Sequence, residues 1–293
     1  MVVRLENKAI RSVAVIGGGT MGVGIARVAA GRDIAVYLCE KDAPAAGDSS
    51  EALARELDYE MSRWSLTASE KEAVSRRIRV GFEISDAAGA DLVIETVSEN
   101  FELKSRLFTA LDAICDKSII FITNTSTLSI SELAAASRRA DRFVGLHFLN
   151  PATRTAVVEV IRGLATSDAT VAAVKDFSRQ LGKTPIEVFE YPGYVTTRVM
   201  LPMINEAIHV VMEGVASAED VDTAMKLGYN LEAGPLALAD RMGLDEVMHW
   251  MEHLFRELGD LKYRPCPLLR KMVRAGRLGV KSGEGFFRYE KAE

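Results

Sequence analysis

Ser12-Val13-Ala14-Val15-Ile16-Gly17-Gly18-Gly19-Thr20-Met21-Gly22 is the stretch that decides the fold. Val13 to Ile16 is a short apolar run of the kind a strand buried on both faces shows, as in a parallel sheet. It leads directly into Gly17-x-Gly19-x-x-Gly22, and Val23 to Ala30 then reads as a helix closed by Gly31. A second apolar run, Ile34 to Leu38, ends at Glu40. Gly17 permits a tight turn, Gly19 lets the backbone approach a pyrophosphate, and Gly22 lets the helix pack close to the sheet. The free N–H groups at the helix start, over Thr20 and Met21, then face the phosphates. Glu40 stands at the offset where a carboxylate accepts hydrogen bonds from an adenine-ribose diol. Three glycines alone could be an ordinary βα turn. Flanked by two strands, a helix and an acid, they predict a dinucleotide site. A carboxylate repels a 2′-phosphate, so Glu40 favours NAD over NADP; Lys41 beside it tempers that preference.

Strand and helix go on alternating. A helical pair is inserted near residues 45–77, with its break at Ser62–Leu66 and a capping-box signature, Thr67-x-x-Glu70, at the start of its second member. Asp91–Glu95 is a strand and Phe101–Ile114 a helix; Ser118–Thr123 is a strand that ends in Asn124-Thr125-Ser126-Thr127. Ser129-x-x-Glu132 caps another helix, and Phe143–Leu146 is a strand delivering His147. Polar residues thus recur at strand C-terminal ends, the edge of an open α/β sheet where ligands bind. Pro192-Gly193 breaks the alternation. From there Arg198–Met212, Ser217–Leu227, Leu244–Leu258 and Pro267–Ala275 carry a helical period. The expected fold is therefore α/β. A Rossmann-type doubly wound, mainly parallel sheet occupies residues 1–191, and an all-helical domain occupies 192–293.

His147 is the residue that carries chemistry. Twelve positions on, Glu159 lies inside Val157-Val158-Glu159-Val160-Ile161. A lone histidine in an apolar setting is usually core. A carboxylate among β-branched residues in a strand is costly unless something pairs with it. A His–carboxylate pair holds one imidazole nitrogen as a proton acceptor.

With 48% apolar and 26% charged residues the chain is an ordinary globular protein with room for one large or two smaller domains. A net charge of −5 gives no reason to expect nucleic acid or an anionic membrane as partner. Cys39, Cys115 and Cys266 form no Cys-x-x-Cys pair, which argues for a reducing compartment and against a disulfide framework or zinc site. Glu6 and Lys8 interrupt any leader-like apolar segment, and Asn205, Glu206 and His209 interrupt the longest apolar helix, so the expectation is a cytoplasmic protein. His249-Trp250-Met251-Glu252-His253 matches an inverted zinc-protease pattern, but no third ligand is evident and no metal is expected.

Over essentially its whole length the chain resembles the short-chain L-3-hydroxyacyl-CoA dehydrogenases, particularly the bacterial 3-hydroxybutyryl-CoA type. The matching segments include Gly19-Thr20-Met21-Gly22, Asn124-Thr125-Ser126, His147-Phe148-Leu149-Asn150-Pro151 and Val158-Glu159-Val160-Ile161-Arg162-Gly163. Pro202-Met203-Ile204-Asn205-Glu206-Ala207, Ala216 to Met225, Gly234 to Leu238 and Gly283-Glu284-Gly285-Phe286 follow. The resemblance implies hydride transfer between NAD and C3 of a short-chain (S)-3-hydroxyacyl thioester, most simply 3-hydroxybutyryl-CoA. His147 would be the acid–base, Glu159 its orienting carboxylate and Ser126 a donor to the reacting oxygen. Glu99, Lys104, Asn150 and Lys281 would contact the dinucleotide; from sequence alone the three charges read as solvated surface and Asn150 as turn chemistry. A homodimer through the helical domain, which would also close over the substrate, is implied likewise.

Three departures lie on the acyl and carrier side. Thr197 stands where the family usually has an Asn that bonds the substrate's carbonyl region, and an amide offers two donor hydrogens where a hydroxyl offers one. Thr155-Ala156-Val157-Val158 replaces the usual Met-Lys-Leu-Val. The helix after Glu40 keeps Arg55 and Arg63 for the CoA phosphates, but Glu51, Glu56, Asp58 and Glu60 surround them. The reaction type stays intact; the acyl group or its carrier, CoA or a carrier protein, is what these residues put in question. The competing class is a non-catalytic dinucleotide-binding sensor or structural protein, whose expected mark, loss of His147, Glu159 or Ser126, is missing.

Overall fold

β1 (Ser12–Ile16) is buried from Val13 onward, and α1 (Thr20–Ala30) returns across the sheet on Val23, Ile25 and Val28. β2 (Ala35–Cys39) pairs parallel to β1, with Ser12 opposite Ala35 and Ile16 opposite Cys39. The structure is a computed structural model that describes residues 9–63 and 65–289. Glu6 and Lys8, and Trp64 in the break between the paired helices, lie outside the described residues.

α2 (Ala43–Ser62) starts where the Asp42 side chain accepts from the Ala45 N–H and Pro44 fits the first turn. It buries Leu53 and Leu57, one turn apart. α3 (Ala68–Arg77) starts on a reciprocal box: Thr67 accepts from the Glu70 N–H while Glu70 accepts from the Thr67 N–H at 2.8 Å. β3 (Ile78–Gly81), β4 (Leu92–Glu95), α4 (Phe101–Ile114), β5 (Ile120–Thr123), α5 (Ile130–Ala135) and β6 (Phe143–Phe148) follow, then β7 (Val157–Arg162), α6 (Asp168–Gln180) and β8 (Thr184–Phe189).

The eight strands form one sheet in the order β3-β2-β1-β4-β5-β6-β7-β8. All neighbours are parallel except β6 and β7, which are antiparallel. Val13, Val15, Leu38, Ile94, Ile122, Val144 and Leu146 pack with Ile25 of α1 and Val174 and Phe177 of α6 in one core. Each such side chain contributes about 1.5–3 kcal/mol relative to exposure. The sequence pattern does not announce β3 or β8. Both are edge strands, only partly buried, and β8 carries Pro185 where an edge tolerates it.

The chain divides into two compact units, Met1–Tyr191 and Pro192–Glu293. The second is built of α7 (Thr196–Met212), α8 (Ala218–Tyr229), α9 (Pro235–Met242), α10 (Leu244–Leu258) and α11 (Pro267–Arg274). Leu201, Ile204, Ile208, Leu236, Val247, Met251, Leu254 and Leu269 form its core. Three of its buried polar side chains are held by several hydrogen bonds each. The Asp222 carboxylate accepts from the Leu236 and Ala237 N–H groups at 2.8 Å, capping α9. Asn205 bonds Arg264 O and the Cys266 N–H. Asp240 accepts from the Phe286 and Phe287 N–H groups and the Tyr289 hydroxyl. Among the described residues no helix is long and apolar enough to cross a membrane.

Candidate active site

The glycine turn has the geometry a dinucleotide needs. Gly17 has φ +103°, a conformation side chains disfavour, and a Cβ on Gly22 would stand 1.8 Å from Gly17 O. A Cβ on Gly19 would meet nothing within 4 Å: the turn is packed below and open on the side from which a ligand approaches. Gly19 starts α1 with no side-chain cap, so the first-turn N–H groups at Thr20, Met21 and Gly22 are placed to receive phosphate oxygens. Glu40, at the end of β2, reaches the same turn: its Oε1 accepts from the Gly18 N–H at 2.7 Å. These residues fit NAD. Ser49, which the motif does not include, also enters the turn, with its hydroxyl 3.1 Å from Glu40 Oε1. A cavity of about 230 Å³ opens here, bounded by Gly18, Gly19, Thr20, Glu56 and Asn150. It thus brings Asn150, from the end of β6, to the glycine turn.

His147 and Glu159 meet because β6 and β7 are antiparallel and in register: their Cα positions are direct partners across the ladder, so both side chains leave the same face. Nδ1 of His147 lies 2.7 Å from Glu159 Oε2, and Nε2 lies 3.1 Å from Ser126 Oγ. Glu159 is 0% exposed and His147 5%. A carboxylate only accepts, so Nδ1 carries the hydrogen and Nε2 is left as the acceptor. The strand end is fixed as well, since Asn124 Oδ1 accepts from the Phe148 N–H at 2.9 Å.

Ser126 is set by Glu99, whose Oε1 accepts from the Ser126 and Thr127 N–H groups and from the Thr125 and Thr127 hydroxyls. Burial alone would raise the Glu99 carboxyl. The Lys104 charge and these hydrogen bonds outweigh it and hold it below the usual carboxylate range. Lys104 is not surface charge: it is fully buried, 2.7 Å from Glu95 Oε1, 3.1 Å from Val97 O and 3.5 Å from Glu99 Oε2. Glu95 is buried too and takes the Thr123 hydroxyl at 2.6 Å. Sequence reasoning missed Glu95 and Ser49. The signals that could have found them are a carboxylate closing an apolar strand and a serine one turn into the helix that follows Glu40.

The remaining candidates lie apart from this cluster in sequence. Arg55 on α2 is exposed and pairs with Glu51 at 3.4 Å, and Arg63 is exposed at the end of the same helix. Burial and the neighbouring Glu60 push the Glu56 carboxyl up. In the helical unit Thr197 is buried in the first turn of α7, and Lys281 pairs with Asp245 at 2.6 Å. Glu252 is engaged by Arg270 at 2.8 Å. Among the described residues no group of three or more His, Cys, Asp and Glu side chains could hold a metal ion. A larger cavity of about 600 Å³, lined by Arg27, Arg32, Arg77, Arg154 and Lys183 among others, contains none of the candidate residues.

Comparison with known proteins gives the family of the chain. The NAD-binding domain of 3-hydroxyacyl-CoA dehydrogenase matches residues 12–191, and the C-terminal domain of the same family matches 193–289. A probable 3-hydroxybutyryl-CoA dehydrogenase of Bacillus subtilis is 47% identical over 281 residues, covering 96% of this chain and 98% of its own. The solved structure of (S)-3-hydroxybutyryl-CoA dehydrogenase PaaH1 from Ralstonia eutropha is 45% identical with a TM-score of 0.89, over 97% of this chain and 100% of that one. FadB2 of M. tuberculosis is 35% identical with a TM-score of 0.94, over 97% of this chain and 100% of its own. With both domains matched and its relatives similar from end to end, the chain belongs to the 3-hydroxyacyl-CoA dehydrogenase family.

Proposed function

We propose that the protein is an NAD-dependent dehydrogenase that moves a hydride between NAD and C3 of a short-chain (S)-3-hydroxyacyl thioester, 3-hydroxybutyryl-CoA and acetoacetyl-CoA being the first pair to test. The observation that carries the reading is the oriented imidazole: Nδ1 tied to a buried carboxylate at 2.7 Å, and Nε2 facing the Ser126 hydroxyl at 3.1 Å. The names of the Bacillus and Ralstonia relatives support the substrate. In the oxidation direction Nε2 of His147 takes the proton of the substrate hydroxyl, and Glu159 balances the charge the ring acquires. The Ser126 hydroxyl hydrogen-bonds the same oxygen. Bound NAD+ supplies the hydride acceptor. The glycine turn, Glu40 and Asn150 orient the cofactor, and we assign Glu99, Lys104 and Lys281 to the same task, Lys104 through the Glu99 that it faces.

The test is consumption of NADH with acetoacetyl-CoA by the wild type and by His147→Ala. Removing a positioned acid–base lowers the rate by about 10²–10⁴-fold, while NADH binding followed by fluorescence is retained. A wild type that binds NADH and turns over no thioester would favour the non-catalytic reading. A His147→Ala rate near the wild type would refute the role of the histidine.

α2 favours a second reading, the same chemistry on a carrier-protein-tethered or otherwise altered hydroxyacyl group. Its arginine pairs with Glu51, and Glu56 is a half-buried acid. We further infer a homodimer through the helical unit, supported by the exposed apolar Val215, Leu227 and Tyr229. The setting we infer is cytoplasmic, supported by three free, buried cysteines.

A further inference from the structure

The glycine turn holds a polar group outside the dinucleotide motif. Ser49, in the second turn of α2, is 3% exposed. Its Oγ lies 3.1 Å from Gly18 O and 3.1 Å from Glu40 Oε1. A hydroxyl has one proton, so Ser49 donates to one of the two at a time. The Gly18 N–H donates to that same Oε1 at 2.7 Å. Oε1 is thus held from the turn by the Gly18 N–H, and from α2 as well whenever the Ser49 hydroxyl donates to it instead of to Gly18 O. The other carboxylate oxygen, Oε2, accepts from the Lys41 N–H at a longer 3.2 Å. The packing leaves no slack: a Cβ on Gly18 would stand 2.1 Å from Ser49 Oγ and 2.9 Å from Glu40 Oε1. Gly18, a free position in the motif, is glycine here because Ser49 and Glu40 fill the space beside it.

We propose that Ser49 is a positioning residue that sets the choice between NAD and NADP, acting through Glu40. With Oε1 held, Glu40 has one orientation, which leaves Oε2 for the adenine-ribose diol and keeps the negative charge where a 2′-phosphate is repelled. The inference rests on the reading of Glu40 as the ribose acceptor. Without the Ser49 hydroxyl the carboxylate gains rotamer freedom. Ordering it on a diol then costs more, and turning it away from a 2′-phosphate costs less. Discrimination falls from both sides, which a loss of general packing would not produce.

The experiment is direct titration of the cofactor-free protein with NADH and with NADPH, read by nicotinamide fluorescence. Wild type, Ser49→Ala, Glu40→Ala and the double variant are compared, with melting temperatures confirming that each folds. In Ser49→Ala, NADH affinity drops about fivefold, equivalent to one hydrogen bond of about 1 kcal/mol. NADPH affinity holds or rises, so the ratio of the two dissociation constants falls at least as far. In the Glu40→Ala background Ser49→Ala shifts neither constant. An unchanged ratio in Ser49→Ala, an equal loss for both dinucleotides, or a full additive effect without Glu40 each overturns the inference. A wild type that binds NADH and NADPH alike, or Glu40→Ala with its preference intact, overturns instead the reading of Glu40 on which it rests.

Discussion

Glu159 is 0% exposed, and a carboxylate taken out of water needs a partner that repays its desolvation. His147 Nδ1–H, 2.7 Å from Glu159 Oε2, is such a partner. The pair is useful because the charge is fixed before the reaction. In the role we propose for His147, the cation that forms when Nε2 takes a proton lies next to an anion already in place, with no reorganisation. Glu159→Gln separates orientation from charge. The amide oxygen can still accept from Nδ1–H, so the ring keeps its place, but the compensating charge is gone. We expect kcat to fall about 10²-fold, within the range for a disabled acid–base, with KM for the thioester little changed, because the loss is felt only in the transition state. Steady-state kinetics checks this, and a drop confined to KM would refute it. Much of the site was legible at this scale. A histidine at a strand end and an acid in an apolar run can be read as a pair from their setting. The spacing of twelve residues cannot show that they face each other, because the β6–β7 reversal that brings them into register is a tertiary event.

At the level of elements, the loop after β5 depends on α4. Asn100 caps that helix, accepting from the Leu103 N–H at 2.9 Å, and so fixes the turn in which Glu99 sits. Glu99 in turn gathers the donors of Thr125, Ser126 and Thr127. Buried Lys104 supplies the cation behind it. Sequence alone makes Glu99 and Lys104 look like solvated charges on a helix start. Lys104 is fully buried and Glu99 half-buried because they bond groups at the ends of β4 and β5, Glu95 and the Thr125–Thr127 loop, and periodicity carries no sign of it. The pH dependence follows from the direction of the Glu99 shift. Its folded pKa lies below its ordinary value, so its contribution is complete above the ordinary glutamate pKa of about 4.3. It is lost as pH falls through the depressed folded value. Glu99→Gln should therefore cost about 2 kcal/mol near neutrality, the worth of hydrogen bonds to a charged group. That gap in stability should stay flat down to about pH 4.3 and close below it. Thermal melts of the two proteins across that range test this, and a gap that widens on acidification would contradict the assignment.

For the whole molecule, the alternation of strand and helix up to Tyr191 and the helical period beyond Pro192 carry the architecture, because a buried parallel sheet and an amphipathic helix each impose a repeat on the sequence. Substrate recognition imposes no repeat, which is why it was the least legible part. What the chain does show is charge. The protein is net −5, and α2 carries Asp48, Glu51, Glu56, Asp58 and Glu60 against a single arginine, Arg55. A CoA thioester is itself polyanionic, so its approach to this surface is opposed by a field whose range salt controls. The Debye length shrinks from about 30 Å at 0.01 M to about 8 Å at 0.15 M ionic strength. Over that interval KM for 3-hydroxybutyryl-CoA should fall severalfold while kcat holds, because screening aids encounter and leaves the buried His147–Glu159 pair untouched. Glu51→Lys together with Asp58→Lys should reverse the sign of the salt effect. The same assays with the hydroxyacyl group on a carrier protein separate the two substrate readings. A high kcat/KM on the CoA ester, with KM rising as salt is added, would mean that cations elsewhere govern the encounter, and the acidic α2 would then give no ground for a carrier other than CoA.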